Sequence, residues 1–170
     1  MVRKLATASI SAMLLAPLAW ASAGGGPVPP VDGAGASGSG VATAKLSNSA
    51  AGARTALTVG LHAELQCGRL SARTLTVKLP SQLRVPHLVA VSAVTAGGKP
   101  VTHAKVSGST VVLTLPVPKG VTCDVLGPGV YPVVFLSRAG LRNPLGSGSY
   151  AFSVLASPRG DAWHGTLAVG

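Results

Sequence analysis

Side chains able to do chemistry are scarce in this sequence, and their spacing narrows what they can do. The imidazoles are His62, His87, His103 and His164. His62 and Glu64 stand two residues apart in an alternating segment, so one strand face would carry both, and with a further histidine they could share a metal ion. No third ligand is identifiable, and ordinary exposed strand residues give the same pattern. Glu64, Asp124 and Asp161 are of the type that hydrolases pair across a glycosidic bond, but no local motif supports that role. No serine sits in a GxSxG elbow. The sequence therefore assigns no catalytic residue, no metal site and no cofactor.

Cys67 and Cys123 are the two cysteines. They lack the CxxC spacing of a redox motif. In an exported protein such a pair forms a disulfide by default, and closing a loop of this length stabilises a fold by about 4 kcal/mol. No Trp falls between them, where an antibody-type domain packs one against its bridge.

Basic residues outnumber acids, with a formal net charge of +10. A surplus of that kind favours anionic partners such as envelope polymers and acidic polysaccharides. The lysines and arginines are dispersed and not interleaved with aromatics, so no specific nucleic-acid platform is expected. Thr74, Thr76 and Lys78 share one strand face with Arg73 nearby, the pattern of an ordinary solvated face and equally of part of a basic sheet face. Arg159-Gly160-Asp161 is an Arg-Gly-Asp triplet in an expected hairpin turn, a tripeptide that also arises by chance.

The elements that position these groups follow from composition and period. Residues 1–23 have the order of a secretory signal: Arg3-Lys4, an apolar run from Leu5 to Trp20, then Ala21-Ser22-Ala23. Cleavage there would remove two of the 14 basic residues, leaving 12 against four acids and a charge of +8. No later stretch is long and apolar enough to span a bilayer, so the mature chain is expected to be secreted or held non-covalently at the envelope. Residues 24–40, rich in Gly, Pro and Ser, read as a flexible linker. Residues 41–170 form one domain.

Within that domain the period is two. Leu57, Val59, Leu61, Ala63 and Leu65 alternate with polar residues, as do Leu75, Val77 and Leu79, and then Tyr150, Phe152 and Val154. Turn residues separate the runs at 96–100, 107–109 and 127–129. Pro132 marks its run as an edge strand or a bulge. Seven to nine short strands and no helical periodicity predict an all-β fold: a single antiparallel β-sandwich of immunoglobulin-like architecture, stapled by one disulfide, with a barrel as the alternative.

One element has a recognisable pattern. Gly140-Leu141-Arg142-Asn143-Pro144-Leu145-Gly146-Ser147-Gly148-Ser149-Tyr150 resembles the G-[IL]-x-N-P-x(3)-G-x-Y element of β-sandwich domains in exported bacterial and archaeal surface proteins. The following Tyr150-Ala151-Phe152-Ser153-Val154 and the opening Ser47-Asn48-Ser49-Ala50-Ala51-Gly52-Ala53 are similar to theirs as well. The resemblance implies a structural loop built on Gly140, Asn143, Pro144, Gly148 and Tyr150, a surface location, and a structural or adhesive role without catalytic residues. The expected function is thus non-enzymatic: structural, adhesive or envelope-binding, acting through a basic surface. The alternatives are an extracytoplasmic metal-binding protein and an extracellular hydrolase.

Overall fold

Where apolar and polar residues alternate, the chain is extended. A computed structural model describes residues 39–117 and 125–170. Its strands are β1 (Ser39–Leu46), β2 (Leu57–Gln66), β3 (Thr74–Lys78), β4 (Val94–Ala96), β5 (Lys99–Pro100), β6 (His103–Ser107), β7 (Thr110–Thr114), β8 (Leu126–Phe135), β9 (Gly148–Ser157) and β10 (Ala162–Val169). Among the described residues there is no α-helix; Val91–Ala93 and Ser137–Ala139 are single 3₁₀ turns. The expected signal sequence and most of the linker lie outside the described residues. Ser39 and Gly40, which composition placed in the linker, open β1 instead.

The strands make one curled, mixed sheet in the order β5-β4-β8-β2-β1-β10-β9-β3-β7-β6. β1 is its joint. The first half of β1 runs parallel to β10, from Ser39 opposite Ala162 to Val41 opposite His164. Its second half runs antiparallel to β2, from Ala42 opposite Leu61 to Leu46 opposite Leu57. One limb (β10, β9, β3, β7, β6) therefore hangs from the start of β1, and the other (β2, β8, β4, β5) from its end. The expectation of a wholly antiparallel sheet fails at this one pair, where β10, the return strand of the β9–β10 hairpin, reaches β1 running in the same direction.

Close approach at the joint demands glycine. A Cβ on Gly165 would collide with the Ala42 carbonyl oxygen and with the Phe152 ring. One on Gly40 would lie 2.6 Å from the Trp163 indole. Backbone that cannot retreat makes such overlaps costly.

Both limbs face one cluster of buried side chains. β2 supplies Leu57, Val59 and Leu61; β3, Leu75 and Val77; β7, Val111 and Leu113; β8, Tyr131, Val133 and Phe135; β9, Phe152, Val154 and Ala156; β10, Trp163, Leu167 and Val169. Each fully buried aliphatic or aromatic side chain contributes about 1.5–3 kcal/mol through surface removed from water. Alternation predicted this inward set on β2, β3 and β9. Two expectations fail on β8. Gly127-Pro128-Gly129 is not a turn but part of the strand, opposite Leu65, Glu64 and Ala63 of β2. Pro132 does not make β8 an edge: β2 covers one side along its length, and β4 covers Val133 to Phe135 on the other. Pro132 falls one residue short of β4, so its missing N–H breaks no ladder bond to that strand, while its carbonyl accepts from Gly97 N–H at 2.8 Å.

Candidate functional site: an outward sheet face and its groove

The period that buries Leu75 and Val77 turns Thr74, Thr76 and Lys78 outward on β3, and the register carries the pattern across the first limb. Lys78 lies between Thr110 of β7 and Ser153 of β9, and Ser153 lies opposite His164 of β10. Thr76 is flanked by Val112 and Leu155, and Val112 faces Lys105 on β6. Thr74 is flanked by Thr114 and Ser157, with His103 beyond Thr114. The result is a broad sheet surface of hydroxyls, two lysines and two imidazoles, on which no strand position carries a carboxylate. None of the Lys78, Lys105, His103 and His164 side chains has a hydrogen-bond or ion-pair partner among the described residues. The sequence indicated only the β3 part of this face, because pairing alone brings in β6, β7, β9 and β10.

A groove of ≈ 540 Å³ cuts into the face beside Lys78, between Pro80-Ser81-Gln82, Ser109, Ser149–Ser153 and His164. Pro80 creates it. If the β3–β9 register ran on, Pro80 would fall opposite Ala151, and proline has no N–H to give to a ladder. The chain turns away instead: Leu79 N–H donates to Ser109 O at 2.9 Å and Leu83 N–H to Pro80 O at 3.0 Å. β9 continues alone on that side.

A second, smaller groove of ≈ 280 Å³ is lined by Ser39, Gly40, His62, Ala63, Glu64, Leu70, Ser71, Arg159, Asp161 and Trp163. The structure thus brings together His62, Glu64 and Asp161, three residues considered for metal or hydrolytic chemistry. Among the described residues, however, no three His, Cys, Asp or Glu side chains are placed to hold a metal ion. His87 is on an exposed loop and His103 on the edge strand β6, away from His62. Asp124 lies outside the described residues. Arg159 and Asp161 stand at the β9–β10 hairpin, as expected of a turn, and both are already engaged. The indole N–H of Trp163 donates to His62 O at 2.8 Å, tying β10 to β2 beneath the groove.

The loop motif has a structural job. Gly140 takes the left-handed conformation (φ 82°) that closes the Ser137–Ala139 turn. Asn143 is buried, and its Nδ2 donates to Asn48 O at 2.7 Å and Ala50 O at 2.8 Å, while its Oδ1 has no partner among the described residues. Asn143 N–H donates to Ala53 O at 2.9 Å, and Pro144 O accepts from Gly52 N–H at 2.9 Å. Gly148 (φ 149°) starts β9, and the Tyr150 hydroxyl donates to Gly146 O at 2.8 Å. The loop before β9 is therefore laced to the β1–β2 loop, the two segments singled out together in the sequence.

Cys67 lies in a tight turn whose central residues, Cys67 (φ 48°) and Gly68 (φ 73°), are both left-handed, closed by mutual bonds between Gln66 and Arg69. Cys123 lies outside the described residues, so the expected bridge is not seen as a pair; Cys67 itself is engaged rather than free.

No family model matches the chain, and no curated protein matches it. Among solved structures it is similar to the crystal structure of BslA, a bacterial hydrophobin, at 18% identity and a TM-score of 0.46, over 78% of this chain and 97% of that one. A likeness of that size carries no argument about what this chain does. Among the described residues no helix is long and apolar enough to cross a membrane.

Proposed function

We propose that this chain is a non-enzymatic, exported protein that binds anionic polymers of the cell envelope, acidic polysaccharides among them, through the outward face of β6, β7, β3, β9 and β10. The observation that carries the reading is the chemistry of that face: hydroxyls in register, Lys78 and Lys105 side chains without partners among the described residues, and no carboxylate on any of its strands. Such a surface attracts polyanions and does not repel them locally. The signal-like N-terminus and the resemblance of residues 140–150 to surface-protein domains support export and a place at the envelope. The same reading takes the curled sheet as two facing layers of an immunoglobulin-like sandwich, supported by the single core cluster between the limbs. It takes Cys67–Cys123 as the staple, supported by the bond from Cys67 N–H to Val125 O at 2.9 Å, two residues from Cys123.

Co-sedimentation with isolated envelope polymers tests the proposal. Retention at low salt should fade as ionic strength rises. The Lys78→Gln/Lys105→Gln pair should weaken it by roughly 2- to 30-fold, the loss of two exposed ion pairs. Lys45→Gln, on the half of β1 that pairs with β2, should leave it unchanged. Equal losses from both variants would assign the effect to net charge and remove the face from the account.

A hydrolytic reading is favoured by one observation, the meeting of Glu64, Asp161 and His62 in the smaller groove. Glycan cleavage abolished by Glu64→Gln would establish it over the binding role.

A further inference from the structure

The larger groove contains main chain as well as side chains. Ala156 N–H donates to Asp161 O on the β10 side of β9, whereas Ser157 O accepts from Arg73 N–H on the β3 side. Backbone groups alternate sides along a strand, so those of Ser153, Ala151 and Ser149 all point toward β3. Ser153 meets Lys78, the last residue of β3. Beyond it Pro80 has turned the chain away, and the N–H and C=O groups of Ala151 and Ser149 have no partner among the described residues. They open into the groove between Lys78, Ser81, Gln82, Ser109 and His164.

We propose that this groove is a subsite for one carboxylate-bearing sugar unit of an acidic polysaccharide. The inference rests on the binding role proposed above and narrows it to a place and a ligand chemistry. The main-chain carbonyls need donors and the main-chain amides need acceptors, and a sugar hydroxyl is both. Ser81, Ser109, Ser149, Ser153 and the Gln82 amide repeat that dual character around the rim. Inorganic phosphate offers mostly acceptors, with only one or two hydroxyl donors at neutral pH, and lacks the ring of paired donor–acceptor hydroxyls that matches this backbone. An added peptide strand would satisfy the backbone, but strand addition gains its specificity from pockets for alternate side chains, and here hydroxyl and amide groups stand in their place. Lys78 supplies a positive charge for the carboxylate. His164 sits two strand spacings away, about 10 Å across the row, so one ring with its carboxylate fits between them.

The test is an amide NMR titration of the full chain with a galacturonate trisaccharide, the matching neutral galactose trisaccharide, inorganic phosphate and an extended peptide. Saturable shifts at Ala151 and Ser149 with the acidic trisaccharide are expected, with clearly weaker binding of the other three. Lys78→Gln should lower the affinity for the acidic trisaccharide about tenfold, the worth of one charge-assisted hydrogen bond, and leave the neutral one unaffected. Absence of saturable shifts, shifts confined to residues outside the groove, or preference for phosphate or peptide would overturn the subsite. Should the trisaccharide fail while polymer sedimentation stays sensitive to Lys78 and Lys105, only the subsite falls. Should sedimentation be insensitive as well, the binding face falls with it.

Discussion

The two limbs of the sheet share one core and differ in what they turn to solvent. On the inside they match: β3 and β9 contribute Leu75, Val77, Phe152 and Val154, and β2 and β8 contribute Leu57, Val59, Tyr131 and Val133. On the outside the first limb sets out Thr74, Thr76, Lys78, Thr110 and Ser153. The second sets out Leu126 (63% exposed) and Val130 (52%) beside Pro128 and Pro132 on β8, next to Thr58, His62 and Glu64 on β2, whereas Leu155 (47%) is the exposed large apolar side chain of the first limb. The difference shows where constraint ends. Inward side chains must fill a common volume at near-crystalline density, so both limbs converge on Val, Leu and a few aromatics. Outward side chains have no such condition to meet, and each limb has taken its own composition.

The comparison can be broken most severely at the joint. Gly165→Val should cost about 3 kcal/mol or more, since the Ala42 carbonyl it meets is backbone. Amide exchange should show both limbs losing protection together; loss confined to β9 and β10 would mean that the limbs are separate units with separate cores. A smaller effect is expected where loops, rather than strands, tie the limbs. Asn143→Ala removes the two N–H donors that a buried side-chain amide gives to the Asn48 and Ala50 carbonyls and should cost about 1–3 kcal/mol in urea denaturation, with the polymer binding proposed for the first limb unchanged. A change in binding of the folded variant would show that the loop shapes the face.

The smallest effect separates the limbs by pH. Tyr131, on the second limb, is buried against Gly97, and desolvation raises its phenol above the ordinary value of 10.0. The unfolded chain then gives up that proton at lower pH than the folded one. Its contribution is full below pH 10.0 and is lost as pH rises from there through the folded value. Tyr131→Phe should accordingly flatten the alkaline fall in the denaturation midpoint and leave the neutral value within about 1 kcal/mol. An unchanged alkaline slope would place the sensitivity elsewhere.

Much of this architecture is legible from period alone. The inward sets of β2, β3 and β9 follow from alternation, and the turns at Gly97-Gly98 and Gly108 follow from their glycines. What alternation cannot show is which strand lies beside which. The parallel contact of β1 with β10 leaves no local mark except Gly40 and Gly165, whose reason is visible only once Trp163 and Ala42 are beside them. The run Gly127-Pro128-Gly129 looks like a turn by composition, yet tertiary pairing with β2 keeps it extended. Half of the candidate site was legible as well. Thr74, Thr76 and Lys78 declare a polar strand face, but the groove exists because Pro80 stops one strand while its neighbour runs on, a relation between residues seventy apart.

The place of β1 also sets a timetable. Ser39 finds its partner in Ala162, so the joint between the limbs cannot form until nearly the whole described chain is present. Pairings of such long sequence separation form slowly, because the entropy of closing the loop comes before any contact rewards it. A chain built this way keeps its two limbs unjoined through most of its synthesis, and the joint closes only once β10 has been made.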